Sequence, residues 1–177
     1  MLRNLGVLAL AASLGGCVSL SRSAPVAPIP ADLAADGRVE EIVVDTGNLG
    51  VSPEFEAIFR QRVKATLDGC ATGARPLRLE AKIDRLSKTN SVVTAVLAGA
   101  NVLRGTARLQ DVETGAFAGE YQIGQTVVGG RVAVIVMAQA EEQMSDAFGD
   151  ELCKQAFART PAANAAAAPS ATGAQPQ

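Results

Sequence analysis

The stretch PLRLEAKIDRL, residues 76–86, alternates without a break. Leu77, Leu79, Ala81 and Ile83 project to one side, and Arg78, Glu80, Lys82 and Asp84 to the other. A period of two fits a strand with one face on a core and one in water. That pattern belongs to an antiparallel sheet covered on a single side. The rest of the chain must therefore supply neighbouring strands and something apolar to cover one face.

Both are legible nearby. VEEIVVD (39–45) is short, β-branched and bounded by Gly37 and Gly47, and reads as a strand. Ser52-Pro53-Glu54-Phe55 has the form of a helix start, with Ser52 as cap and Pro53 in the first position. Phe55, Ile58, Phe59, Val63 and Leu67 then recur at helical spacing, and Gly69 ends the helix beside Cys70. LRGTARLQDV (103–112) and AFAGEYQIGQTVV (116–128) flank Glu113-Thr114-Gly115 and form an expected hairpin. Leu103, Ala107 and Leu109 should face the core from one strand, and Phe117, Tyr121 and Ile123 from the other. Gly105 and Gly119 are small enough for a helix to press closely. Residues 131–157 read as a long helix, amphipathic through Met144, Phe148 and Leu152, although its β-branched start also fits an extension of the preceding strand.

The order β-α-β-β-β-α predicts an α+β domain over residues 38–158. Its sheet is mixed, mostly antiparallel and four-stranded, with two helices on one face. A right-handed crossover makes the first two strands parallel, so both helices begin at the same end of the sheet.

The start of the chain has a different character. MLRN carries one basic residue, and GVLALAASL follows as an uncharged run of about ten residues, half of the roughly 20 that span a membrane. Leu14-Gly15-Gly16-Cys17 resembles the lipobox of bacterial lipoproteins. The resemblance implies removal of residues 1–16 as a signal peptide and attachment of lipid to Cys17, with palmitate on its new amino terminus. The alternatives are an ordinary secretory signal followed by a chance cysteine, or a buried helix. Val18 and Ser19 follow, with no aspartate to retain the protein in the inner membrane. The implied site is the periplasmic side of the outer membrane. Residues 17–37, rich in Ala, Pro and Ser with Pro25, Pro28 and Pro30, read as a flexible linker. Residues 159–177 read as a disordered Ala/Pro tail.

The chain has three cysteines. With Cys17 lipidated, Cys70 and Cys153 remain in an oxidising compartment, where a disulfide is expected, against the alternative of two buried thiols. The predicted topology brings both to the end where the helices finish. Such a link would contribute roughly 4 kcal/mol in the chain-entropy model.

At the opposite end lie two apolar stretches, the uncharged SVVTAVLAGAN (91–101) and VVGGRVAVIVMA (127–138). Val93, Val96, Leu97, Val134 and Ile135 are candidate contacts for a partner or a lipid. The alternative is that these residues extend a strand or pack on the core.

Net charge is −2 and no basic run occurs, so nucleic acid is not an expected partner. The chain contains no His, which excludes histidine-based metal sites and triads. No nucleophile elbow or phosphate loop is present, no cofactor is expected, and Asp84, Asp111 and Glu113 sit at strand-surface or turn positions. With AVLAGANVLRG (95–105) and LQDVETGAFAGEY (109–121) in view, the chain resembles small Gram-negative lipoproteins of uncharacterised domain families. It is similar, less closely, to auxiliary lipoproteins of envelope lipid transporters and to secretion-pore lipoproteins. The expected role is a non-enzymatic, membrane-anchored periplasmic module that binds or scaffolds envelope components. The alternative is an accessory of lipid transport or secretion. Expected partners are the membrane, through the anchor, and an envelope protein or further copies of the chain.

Overall fold

The computed structural model describes residues 18–88, 99–129 and 139–157. Its centre is the alternating strand. Leu77, Leu79, Ala81 and Ile83 are all buried, each at most 2% exposed, so the period of two does decide which face meets the core. This strand, β4 (Arg75–Ser87), lies between β3 (Gly37–Asp45), its parallel neighbour, and the antiparallel β5 (Gly99–Asp111). β6 (Phe117–Gly129) continues the sheet as the antiparallel partner of β5. Helices α2 (Phe55–Leu67) and α3 (Ala140–Leu152) cover the apolar face, and Cys153–Phe157 continues α3 as a π-helical turn. Residues 131–138 of the expected long helix lie outside the described residues.

The core forms where the expected apolar positions meet. Phe55, Phe59, Val63 and Leu67 of α2 and Met144, Phe148 and Leu152 of α3 are buried. Phe59 packs edge-on against Phe148, with ring centroids 5.0 Å apart. Ser52 does not cap α2; its hydroxyl instead donates to Glu141.

The α+β class and the mostly antiparallel sheet are as expected, but the strand number is not. Among the described residues the sheet has six strands. Residues 17–37 had the composition of a flexible linker. In the fold, β1 (Val18–Ser21) and β2 (Ala24–Ala27) pair in turn with the outer edge of β6. The chain then crosses beneath the core through Ile29 and α1 (Ala31–Asp36), a third helix, and enters β3 at the opposite edge. Ile29 and Leu33 are buried in this crossing. The Ile29 amide donates to the buried Tyr121 Oη at 2.8 Å. Proline fits here because an edge strand has ladder positions that need no N–H. Gly119, expected to admit a helix, admits this strap instead: a Cβ there would sit 3.1 Å from Ile29 N.

The hairpin has one irregularity. The register shifts between Leu109 and Gln110, which leaves Ala118 as an extra residue in β6. Ala118 is buried, and Phe117, expected in the core, turns to the opposite face at 52% exposure with the Arg108 guanidinium 5.3 Å from its ring centre.

Candidate functional site

The described residues offer three places for a site: the cysteine end, the opposite end of the sheet, and the face that no described helix covers.

At the cysteine end, Cys70 and Cys153 form a disulfide with Cα atoms 5.9 Å apart. It joins the segment after α2 to the turn after α3. The hairpin turn closes the same end. Asp111, 2% exposed, accepts from the Thr114 amide and hydroxyl, both at 2.9 Å, and from Arg75 Nε at 2.6 Å. The Thr114 amide, its hydroxyl and Arg75 together hold the Asp111 carboxyl below its ordinary range against the effect of burial. Gly115 has a φ of +69°, the left-handed conformation that a tight turn here requires. Asp111 is thus occupied in building the turn. Glu113 and Asp84 are exposed and form no ion pair among the described residues.

At the opposite end, Val18 pairs with Val128, and Gly99 with Gly129. β4 finishes here and α3 begins here. A polar cluster ties these pieces together. Glu141, only 8% exposed, accepts from the Ser52 amide at 3.1 Å, from the Ser52 hydroxyl, and from Lys88 Nζ at 2.8 Å. Burial acts to raise the Glu141 carboxyl, but Lys88 and Ser52 outweigh it and hold the group below its ordinary value. Cys17, the residue before β1, lies outside the described residues. So do Val93, Val96, Leu97, Val134 and Ile135. The structure does fix where their segments depart. β4 ends at Ser87, β5 begins at Gly99 and β6 ends at Gly129, all at the end where Val18 enters the sheet.

The uncovered face carries two shallow recesses. One, of about 390 Å³, mixes charges: Asp45, Glu80 and Glu120 surround Lys82 and Arg108. Across this half, Arg108 pairs with Glu120 at 3.4 Å and Arg78 with Glu41 at 2.7 Å. The other, of about 340 Å³, lies nearer Val18 and holds Arg22, Arg85 and Arg104 with no acidic residue in its lining. Sequence reasoning overlooked it, because the three arginines come from three distant segments. The one available signal was Arg104 at an outward position of an alternating strand. Among the described residues no cluster of three or more Cys, Asp or Glu is arranged to hold a metal ion. No described helix is long and apolar enough to cross a membrane.

No protein-family model matches the chain, and no curated protein matches it. Among solved structures, it is similar to PelC from Paraburkholderia phytofirmans, described as a dodecamer. That match has 17% identity, covers 80% of this chain and all of that one, and has a TM-score of 0.48. A single-substitution variant of the same dodecamer gives 16% identity, 78% and 98% coverage, and a TM-score of 0.43. A candidate lipoprotein from Caulobacter crescentus CB15 gives 11% identity, 64% and 85% coverage, and a TM-score of 0.40. Likeness at this level carries no functional conclusion; the residues of this chain must supply it.

Proposed function

We propose that this protein is a lipid-anchored, non-enzymatic module of the cell envelope. It is held by Cys17 at the periplasmic side of the outer membrane, where it binds or scaffolds other envelope components. The observation that carries the reading is the sequence Leu14-Gly15-Gly16-Cys17 ending one residue before β1. A lipid on Cys17 would sit at the edge of a folded sheet, with no spacer in between. The disulfide between the other two cysteines supports an oxidising compartment. Asp111 and Glu141, the carboxylates whose environments most distort their chemistry, are both saturated by structural partners. That supports a binding role over a catalytic one.

Growth of a Gram-negative host on labelled palmitate tests the anchor. The expected product carries label, begins at Cys17 by mass, and fractionates with the outer membrane, and Cys17→Ser abolishes all three. An unlabelled wild-type product that keeps residues 1–16 would overturn the reading. A photoreactive residue in place of Val96, followed by identification of the adduct, separates an envelope protein from a further copy of the chain.

A further inference from the structure

The three arginines in the recess form one row across the sheet. Arg85 of β4 lies directly opposite Arg104 of β5, and Arg104 lies opposite Gly124 of β6. On the far side of Gly124, the Arg22 amide donates to the Gly124 carbonyl at 2.7 Å. All three arginines are exposed. A Cβ at Gly124 would sit 3.0 Å from the Arg22 carbonyl oxygen, so the glycine lets the Arg22 backbone close tightly over it.

Like charges directly opposite one another on a ladder repel. Proteins usually offset such a pair with acidic neighbours, as this one does farther down the same face. Here the neighbouring acid is Asp84, the exposed extra residue that β4 carries where its register against β5 shifts, and it forms no ion pair with the row. All 18 acidic side chains of the chain lie among the described residues, and none forms an ion pair with Arg22, Arg85 or Arg104. An anion from outside the chain is the complement that the row lacks.

Position identifies the source. Between the row and the end where Val18 enters lie Leu20, 54% exposed, and the half-exposed Val102 and Thr126. Leu20 and Val102, with Thr126 between them on the ladder, set apolar side chains beside a row of arginines, the combination that holds amphipathic helices in the interfacial layer of a membrane. Resting on the proposed anchor at Cys17, we infer that the uncovered face of the sheet lies against the membrane, with Arg22, Arg85 and Arg104 on the phosphates of anionic phospholipids.

The geometry fixes the posture. Arg22 is four residues from Val18, about 13 Å along an extended strand. The headgroup layer of one leaflet is only about 5–7 Å deep. An upright sheet would therefore hold the row in water. The sheet leans over, uncovered face down, so that the row and the anchor touch the same leaflet.

The chain from Val18 onward holds every described element, so removing residues 1–17 takes away no described contact. This unlipidated form is mixed with vesicles of phosphatidylethanolamine and phosphatidylglycerol, and separately with vesicles of phosphatidylcholine alone. Binding is expected only to the first. Arg22→Gln, Arg85→Gln and Arg104→Gln should each weaken it about fivefold, and the triple variant on the order of a hundredfold. Arg→Lys variants should keep most of it, and circular dichroism with an intact disulfide confirms the fold throughout.

Equal binding to both vesicles, or a triple variant that binds like wild type, overturns the inference. So does displacement by inorganic phosphate without any dependence on the lipid surface, which would mark a site for a free anion. Self-association lost in the triple variant would assign the face to a second copy and overturn it as well. Labelled palmitate on the full chain, measured in parallel, keeps the two readings apart. Label without arginine-dependent binding removes the row and leaves the anchor. Arginine-dependent binding without label removes the anchor and leaves the row.

Discussion

At the cysteine end of the sheet, both helices finish, the hairpin turns and the strap crosses beneath the core. A disulfide, a buried aspartate and two buried apolar side chains of the strap close it. At the other end the helices begin, β1 enters, and the described closure is polar: Glu141 with Ser52 and Lys88, and an unbalanced row of arginines a short way down the open face. One end is closed by a covalent link and buried apolar side chains. Among the described residues, the other is closed by hydrogen bonds and ion pairs alone. The contrast explains why the covalent link sits where it does. A crosslink between the ends of α2 and α3 fixes the helices over the sheet at the end where both finish.

Removing the disulfide tests that contrast most severely. Cys70→Ser or Cys153→Ser should lower stability by about 2–5 kcal/mol in thermal or denaturant unfolding, since the bridge closes a long loop. A loss far below this range would mean that the cysteine end does not depend on its crosslink. A smaller effect is expected where the strap meets the sheet. Tyr121→Phe leaves the Ile29 amide without its acceptor in a buried site and should cost about 1–3 kcal/mol. Amide exchange should quicken at Ile29 and its neighbours more than in β4. If exchange rose equally everywhere, the strap would be no separate closure.

The smallest effect belongs to the polar end and depends on pH. Glu141 has a folded pKa below its ordinary value of 4.5, so its contribution is fully present above that value. It is lost as the pH falls through the lower folded value. Glu141→Gln should therefore cost about 1–2 kcal/mol at neutral pH, and the gap to wild type should narrow on acidification below pH 4.5. A gap that stayed constant or widened in acid would show that the carboxylate charge does not hold this end.

Legibility in the sequence followed the strength of local pattern. β4 was readable residue by residue from Leu77 to Ile83, where its alternation is strict; its ladders to β3 and β5 each slip by one residue, at Glu40 and at Asp84. The cysteine pair was readable because right-handed crossover topology leaves one end for both helix termini. The strap was not readable. Its strands have no periodicity of their own; they form because β6 offers an unpaired edge, and Ala, Pro and Ser there resemble a tether. Ile29 and Leu33 were the available signal, two apolar residues four apart amid small ones. Phe117 was placed on the wrong face because a single extra residue, Ala118, reverses the alternation, and nothing local announces a bulge. The arginine row fell between these cases. Each arginine is ordinary alone, and only the ladder register puts them side by side.

The pairing of Val18 with Val128 also sets an order of events during folding. The two residues lie 110 positions apart, so β1 has nothing to pair with until β6 has taken its place on β5. A contact of such sequence separation pays its loop-closure entropy before it returns any stability. The first described strand is thus zipped on late, and the sheet closes at this edge only after its middle has formed.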